Sequence, residues 1–261
     1  MSIAFKTPPI DEVVVSSYFN PPLANFHSEH VGLFWEKIKN DFPTVKQQVP
    51  VNIGQDIITE EFFPMPRYWF IAGDEISLIQ IQKNAFMFNW RRRKGNEYPR
   101  YYENIKPAFD KYYGLFSEFI RTEVSTEEPT IDLCELIYIN TLEHCDFWVG
   151  PQDTTKVIPS FSILDLGIDA SDSPGFNCNY FYRLSNDLQL NINIRSGVKV
   201  QQQNAPVLAF EIKASGRLGG ITKPLSDEWF QRAHDSIINC FVRMTNPDIR
   251  EKYWIPLKDT P

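Results

Sequence analysis

The sequence predicts an α+β protein in which antiparallel sheets pack on long helices. Three observations predict it. Leu188, Leu190, Ile192 and Ile194 alternate strictly with Gln189, Asn191, Asn193 and Arg195, the period of a strand with one buried face. Three separate segments space their apolar residues as one face of a helix does. Strand-like runs follow one another through short turns, and each half of the chain ends in a long helical segment.

The first strand-like run is Ile10 to Phe19, rich in β-branched and aromatic residues and stopped by Asn20-Pro21-Pro22. Val31, Phe34, Trp35, Ile38 and Phe42 then make one helical face, closed by Pro43. Residues 44–65 mix Pro, Gly, Gln and acidic residues, as a long connection with room for a short edge strand. Arg67 to Ala72 is the next strand, and Gly73-Asp74-Glu75 a turn. Ile76 to Gln82 and Ala85 to Trp90 form a hairpin through Lys83-Asn84. After the charged stretch 91–96, Ile105, Phe109, Tyr112, Phe116 and Ile120 mark a helix over Tyr102 to Arg121. Ile131 to Leu142 is a strong strand.

The second half repeats this grammar with strands at Ser160–Ile168, around Cys178, Tyr180, Tyr182 and Leu184, at Leu188–Arg195, and at Val207–Ala214. Ser215 to Pro224 is expected to be a polar, glycine-containing loop, placed to act as a lid. The last helix is expected to start at Ser226 as N-cap, with Leu225 and Phe230 as a hydrophobic staple. Trp229, Ala233, Ile237, Phe241 and Met244 form its apolar face. The expected division is a lobe over 1–128 and a lobe over 129–261, with one continuous domain as the alternative. A duplicated sheet-and-helix unit of the TATA-binding-protein kind is one layout that fits.

Composition limits the function classes. Of 261 residues, 20 are Phe, 11 Tyr and 6 Trp, so buried rings should dominate the core, and global disorder is excluded as a description. A net charge of −7 disfavours nucleic acid and anionic membranes as general partners. Cys134, Cys145, Cys178 and Cys240 form no C-x-x-C pair, which removes support for a zinc ribbon and suggests reduced thiols. The N-terminal residues lack the pattern of a signal peptide, and no window reaches the length of a spanning helix. A cytoplasmic protein with no membrane partner is expected, and no cofactor or metal.

A set of segments carries a family resemblance. They are Pro8-Pro9-Ile10-Asp11-Glu12-Val13-Val14, Leu33-Phe34-Trp35 with Phe42-Pro43, Gln80-Ile81-Gln82, Asn89-Trp90-Arg91, Tyr98-Pro99-Arg100-Tyr101, Tyr138-Ile139-Asn140, and Ala233-His234-Asp235 with Phe241 and Thr245. In that order they resemble a sporadically distributed family of uncharacterised bacterial and archaeal proteins of about 250 residues. The resemblance implies a prokaryotic source and an association with mobile or defence-related genes. It implies no activity and no catalytic residues.

The candidate ligand site is Trp90, Arg91, Arg92, Arg100 and Tyr101. Guanidinium forks suit phosphate or carboxylate, and aromatic faces suit stacked bases. The plainer alternative is a solvated loop with Trp90 in the core and Arg91 in a buried ion pair. Asp165, Asp169 and Asp172 could offer oxygen ligands to a hard cation, or simply follow a strand end. His27 and His30 lie close together and with Glu29 could begin a metal site, though no H-E-x-x-H is present, and His144 beside Cys145 and His234 carry no nucleophile motif. Glu135 and Glu143 lie too far apart along one strand for a carboxylate pair.

Function is therefore expected to be binding or interaction without catalysis, with an unknown protein or small molecule as partner. One alternative is an enzyme acting on a nucleotide-like or phosphorylated small molecule, with Arg91, Arg92 and Arg100 on the phosphate and His144 or Glu143 moving a proton. Another is a homo-oligomeric subunit.

Overall fold

A computed structural model describes residues 4–51, 65–93, 96–125, 127–162, 175–199, 204–221 and 223–257. The protein is α+β. Among the described residues, nine strands pair in the order β2-β3-β4-β5-β1-β6-β9-β8-β7, where numbering follows the chain. They are β1 Ile10–Phe19, β2 Thr44–Gln48, β3 Arg67–Ile71, β4 Ser77–Gln82, β5 Ala85–Arg91, β6 Ile131–Glu143, β7 Asn177–Ser185, β8 Leu188–Lys199 and β9 Ala205–Ile221. The β2-β3-β4-β5 and β9-β8-β7 ladders are antiparallel throughout. The helices are α1 Ser28–Ile38, α2 Lys106–Phe119, α3 Thr154–Val157, α4 Lys223–Met244 and α5 Pro247–Ile249. No helix among the described residues is long and apolar enough to cross a membrane.

The chain divides into two compact units. One gathers Val13–Glu135 with Arg217–Trp229; the other gathers Met1–Glu12, Leu136–Gly216 and Phe230–Pro261.

In the unit built on Val13–Glu135, rings make the core, as the aromatic content requires. Phe116 of α2 lies 5.4 Å from Phe34 of α1, 5.3 Å from Phe86 of β5, 5.8 Å from Phe26 and 6.2 Å from Phe19 of β1. The crossings with Phe34 and Phe26 are edge-to-face, the arrangement ring quadrupoles favour. The helix α1 starts without a Ser or Asp cap. Instead the His27 backbone N–H donates to Nδ1 of His30 at 3.1 Å. That bond satisfies a donor the helix start would otherwise leave open. The hairpin turn falls at Lys83-Asn84 as the sequence predicts.

The opposite face of β3-β4-β5 is buried yet polar. Trp69 Nε1 donates to Gln80 Oε1 at 2.9 Å, and Gln80 Nε2 donates to Asn89 Oδ1 at 2.7 Å. Gln82 donates to the Val51 carbonyl and to Asn84, and accepts from the Val51 N–H. Buried amides cost little once paired in this way.

In the other unit, Phe241 of α4 packs against Phe5, Phe210 of β9 and Trp254 at 5.6, 6.1 and 5.1 Å. The N-terminal segment pairs with the C-terminal one through Lys6 N–H to Ile255 O and Thr7 N–H to Trp254 O.

Two expectations are corrected. The segment from Ser215 to Ile221 is not a lid loop but the end of β9, with Gly219 and Gly220 at φ of +70° and +82°. Glycine adopts those angles without strain, so the pair that reads as a turn sits inside a strand. Ser226 is not the cap of α4, which begins at Lys223 and holds Pro224 in its first turn, where a missing N–H costs nothing. The Leu225 side chain, and with it the staple, lies outside the described residues, as do Asp165, Asp169 and Asp172 and most of the strand expected at 160–168.

Candidate interaction surface

Trp90 and Tyr101 are core residues. Trp90 is buried with its ring 5.5 Å from that of Tyr98, and Tyr101 is buried 5.1 Å from Tyr102. Burial pushes the Tyr101 phenol well above its usual range. Arg91 donates from Nη2 to the Glu75 carbonyl at 2.8 Å. Arg92 is half-buried, and its carbonyl accepts from Arg93 Nη1 at 2.9 Å. Arg100 is exposed, takes φ +64°, and pairs with Glu103 at 2.7 Å. The guanidinium groups of Arg91 and Arg100 are thus turned to different local partners, the first to the β3–β4 turn and the second to the segment that opens α2.

The histidines and paired acids fall likewise into local roles. His30 caps α1. His144 is exposed beside the Cys145–Trp148 bridge. Glu143 pairs with Lys199, and Glu135 accepts the Tyr18 hydroxyl at 3.0 Å. His234 is buried, with Nδ1 3.5 Å from Asp235 and its ring 6.1 Å from Tyr138. Among the described residues, no three His, Cys, Asp or Glu side chains are grouped to hold a metal.

The feature that departs most from an ordinary surface is β7. Among the described residues, strand order places it last, paired with β8 on one side only. Its register sets Cys178 opposite Ile194, Tyr180 opposite Ile192 and Tyr182 opposite Leu190. Opposed residues share a face. The β8 residues on that face are buried, and β9 continues it with Phe210 and Ile212. Helix α4 covers β9, where Phe241, Ile237 and Ile238 enclose a small apolar cavity with Ile212. On β7 the same face is open: Tyr180 is 40% exposed and Tyr182 51%, and Leu184, at the register shift between Arg183 and Ser185, is 51% exposed. The apolar face of the three strands is thus wider than the part that is covered.

The other face of β7 carries Phe181, 74% exposed, between Asn179 and Arg183. Asn193 of β8 donates to Asn177 at 2.6 Å and to Asn179 at 2.9 Å, tying this face down across the ladder. The β7–β8 turn is fixed as well. Ser185 Oγ lies 2.6 Å from Asp187 Oδ1, and Arg232 of α4 reaches Asp187 with both Nη atoms, at 3.2 and 2.5 Å. The Arg232 guanidinium first, and Ser185 after it, hold the Asp187 carboxyl well below the usual carboxylate range. The strand is therefore an ordered element with two exposed aromatic faces and, among the described residues, a hydrogen-bonding edge that no other strand pairs.

Sequence reasoning finds the alternation of β7 but not this exposure. The run Asn177–Ser185 has one charged residue and three consecutive aromatics, which is the signal that marks an edge of this kind once its position is known. No protein-family model matches the chain, and neither does any curated protein or solved structure.

Proposed function

We propose that this chain is a non-catalytic interaction protein that binds an extended, aromatic protein segment along the outer edge of β7. The observation that carries it is the exposure of Tyr180, Phe181, Tyr182 and Leu184 on a nine-residue edge strand. Strand addition supplies main-chain hydrogen bonds along such an edge, and alternate side chains supply the choice of partner. An arriving strand would cover Tyr180 and Tyr182 on one face and Phe181 on the other. The other terminal strand supports this by contrast. The sequence of β2, Thr-Val-Lys-Gln-Gln, has no aromatic residue and carries Lys46, the composition with which proteins keep an edge unpaired.

The test is fluorescence anisotropy with a labelled peptide of the Asn177–Ser185 sequence carrying Cys178→Ser. The peptide should bind the full chain, and Tyr180→Lys with Tyr182→Lys should weaken binding at least tenfold, the loss of two apolar cross-strand pairs. At chain concentrations where light scattering shows a monomer, a peptide that does not bind, or that binds wild type and variant alike, overturns the proposal.

A further inference from the structure

Resting on the strand-addition reading, the register of β7 points to a second copy of this chain as the partner: we infer a homodimer in which two β7 strands pair antiparallel about Phe181.

A two-fold axis normal to a sheet keeps each face on its own side, so it must pass through a residue and not between two. Centred on Phe181, it sets Phe181 against Phe181, Tyr180 against Tyr182 and Asn179 against Arg183, the stretch before the register shift after Arg183. Every aromatic then meets an aromatic, the pairing that contributes most across strands. Centred on Arg183, it would set two guanidinium groups directly opposite each other. Centred on Asn179, it would set Phe181 against Asn177 and leave the Tyr180–Tyr182 pair unmade.

Charge agrees with the same centre. The chain as a whole carries −7, yet Arg183 is the only charged residue of β7. About Phe181 the two Arg183 positions are four residues apart in register, roughly 14 Å, beyond the ~8 Å screening length of physiological salt. The nearest carboxylate in the turn, Asp187, is held by Arg232 of its own chain. The axis also leaves the Tyr180 and Tyr182 faces of both copies on one side, where they merge into one apolar surface.

Light scattering of the full chain after size exclusion tests the inference. The expected mass is twice 30.4 kDa. Tyr180→Lys with Tyr182→Lys opposes lysines across the axis and should give a monomer with an unchanged circular dichroism spectrum. Tyr180→Asp with Tyr182→Asp should do the same. Mixing the two variants should restore a dimer containing one copy of each, because every lysine then meets an aspartate. A wild-type chain that stays monomeric at every concentration, while the labelled β7 peptide still binds it, overturns the second-copy partner and leaves strand addition standing. A wild-type dimer that both variants retain overturns both.

Discussion

Arg232 of α4 holds Asp187 in the turn between β7 and β8 through two nitrogen–oxygen contacts of 2.5 and 3.2 Å. The strand that exposes three aromatic rings is thereby anchored at one end to the longest helix of the chain. An anchored edge is a prepared one, because less ordering remains to be done when a partner arrives.

Replacing Arg232 with Met should loosen that end. Both side chains are partly exposed, so the two-point pair contributes about 0.5–1 kcal/mol and no more. A depressed carboxyl pKa contributes stability above the unfolded value, near 3.9, and loses it as pH falls through the folded one. Urea melts should therefore separate wild type from Arg232→Met at neutral pH. They should converge as the medium is acidified below the ordinary carboxylate range.

His234 acts in the same direction, losing stability on acidification, but over a higher window. Burial pulls its imidazole down to about 4, against a smaller opposing pull from Asp235. The folded protein keeps this ring neutral while the unfolded chain takes up a proton below about 6.5, so stability is complete above that pH and declines down to about 4. The loss should be about 3 kcal/mol. His234→Asn should flatten this slope in urea midpoints measured across the window.

Phe116 sits among four other rings, and Phe116→Ala removes all four contacts. It should cost about 3–5 kcal/mol, the range for emptying a large core site. Thermal unfolding followed by calorimetry measures it. Phe116→Leu should recover most of the loss, since it refills much of the cavity.

Lys106 reaches both carboxylate oxygens of Asp110 and one of Asp227, all at 2.7 Å, with its own side chain nearly buried. Lys106→Met leaves two half-exposed acids facing each other without their cation. Because water screens those acids, the cost should be about 1–2 kcal/mol, below that of breaking a fully buried pair. Denaturant melts at neutral pH check it, and added salt should shrink the difference.

Much of this architecture is legible in the sequence because it is local. The alternation in β8, the hairpin at Lys83-Asn84 and the stripe from Phe109 to Phe116 each follow from a period and a turn signal. Strand order is not local, and alternation looks the same on a central strand as on an edge. Tyr180 and Tyr182 therefore read as half-buried, and only their position beyond β8 exposes them. The end of β9 failed for another reason: Gly219-Gly220 has the chemistry of a turn, but the strand uses the same positive φ angles without ending. Arg91 and Arg100 looked like one basic cluster because they are close in sequence, whereas their donors reach Glu75 and Glu103.

Amide hydrogen exchange at β7 tests most directly whether another strand covers its edge. Every second amide of Asn177–Ser185 points away from β8. Those amides should be protected in concentrated protein and lose protection on dilution, while the amides bonded to β8 stay slow throughout. If the outward amides exchange at the rate of an unstructured peptide at every concentration, nothing pairs with that edge and strand addition by a second copy is wrong.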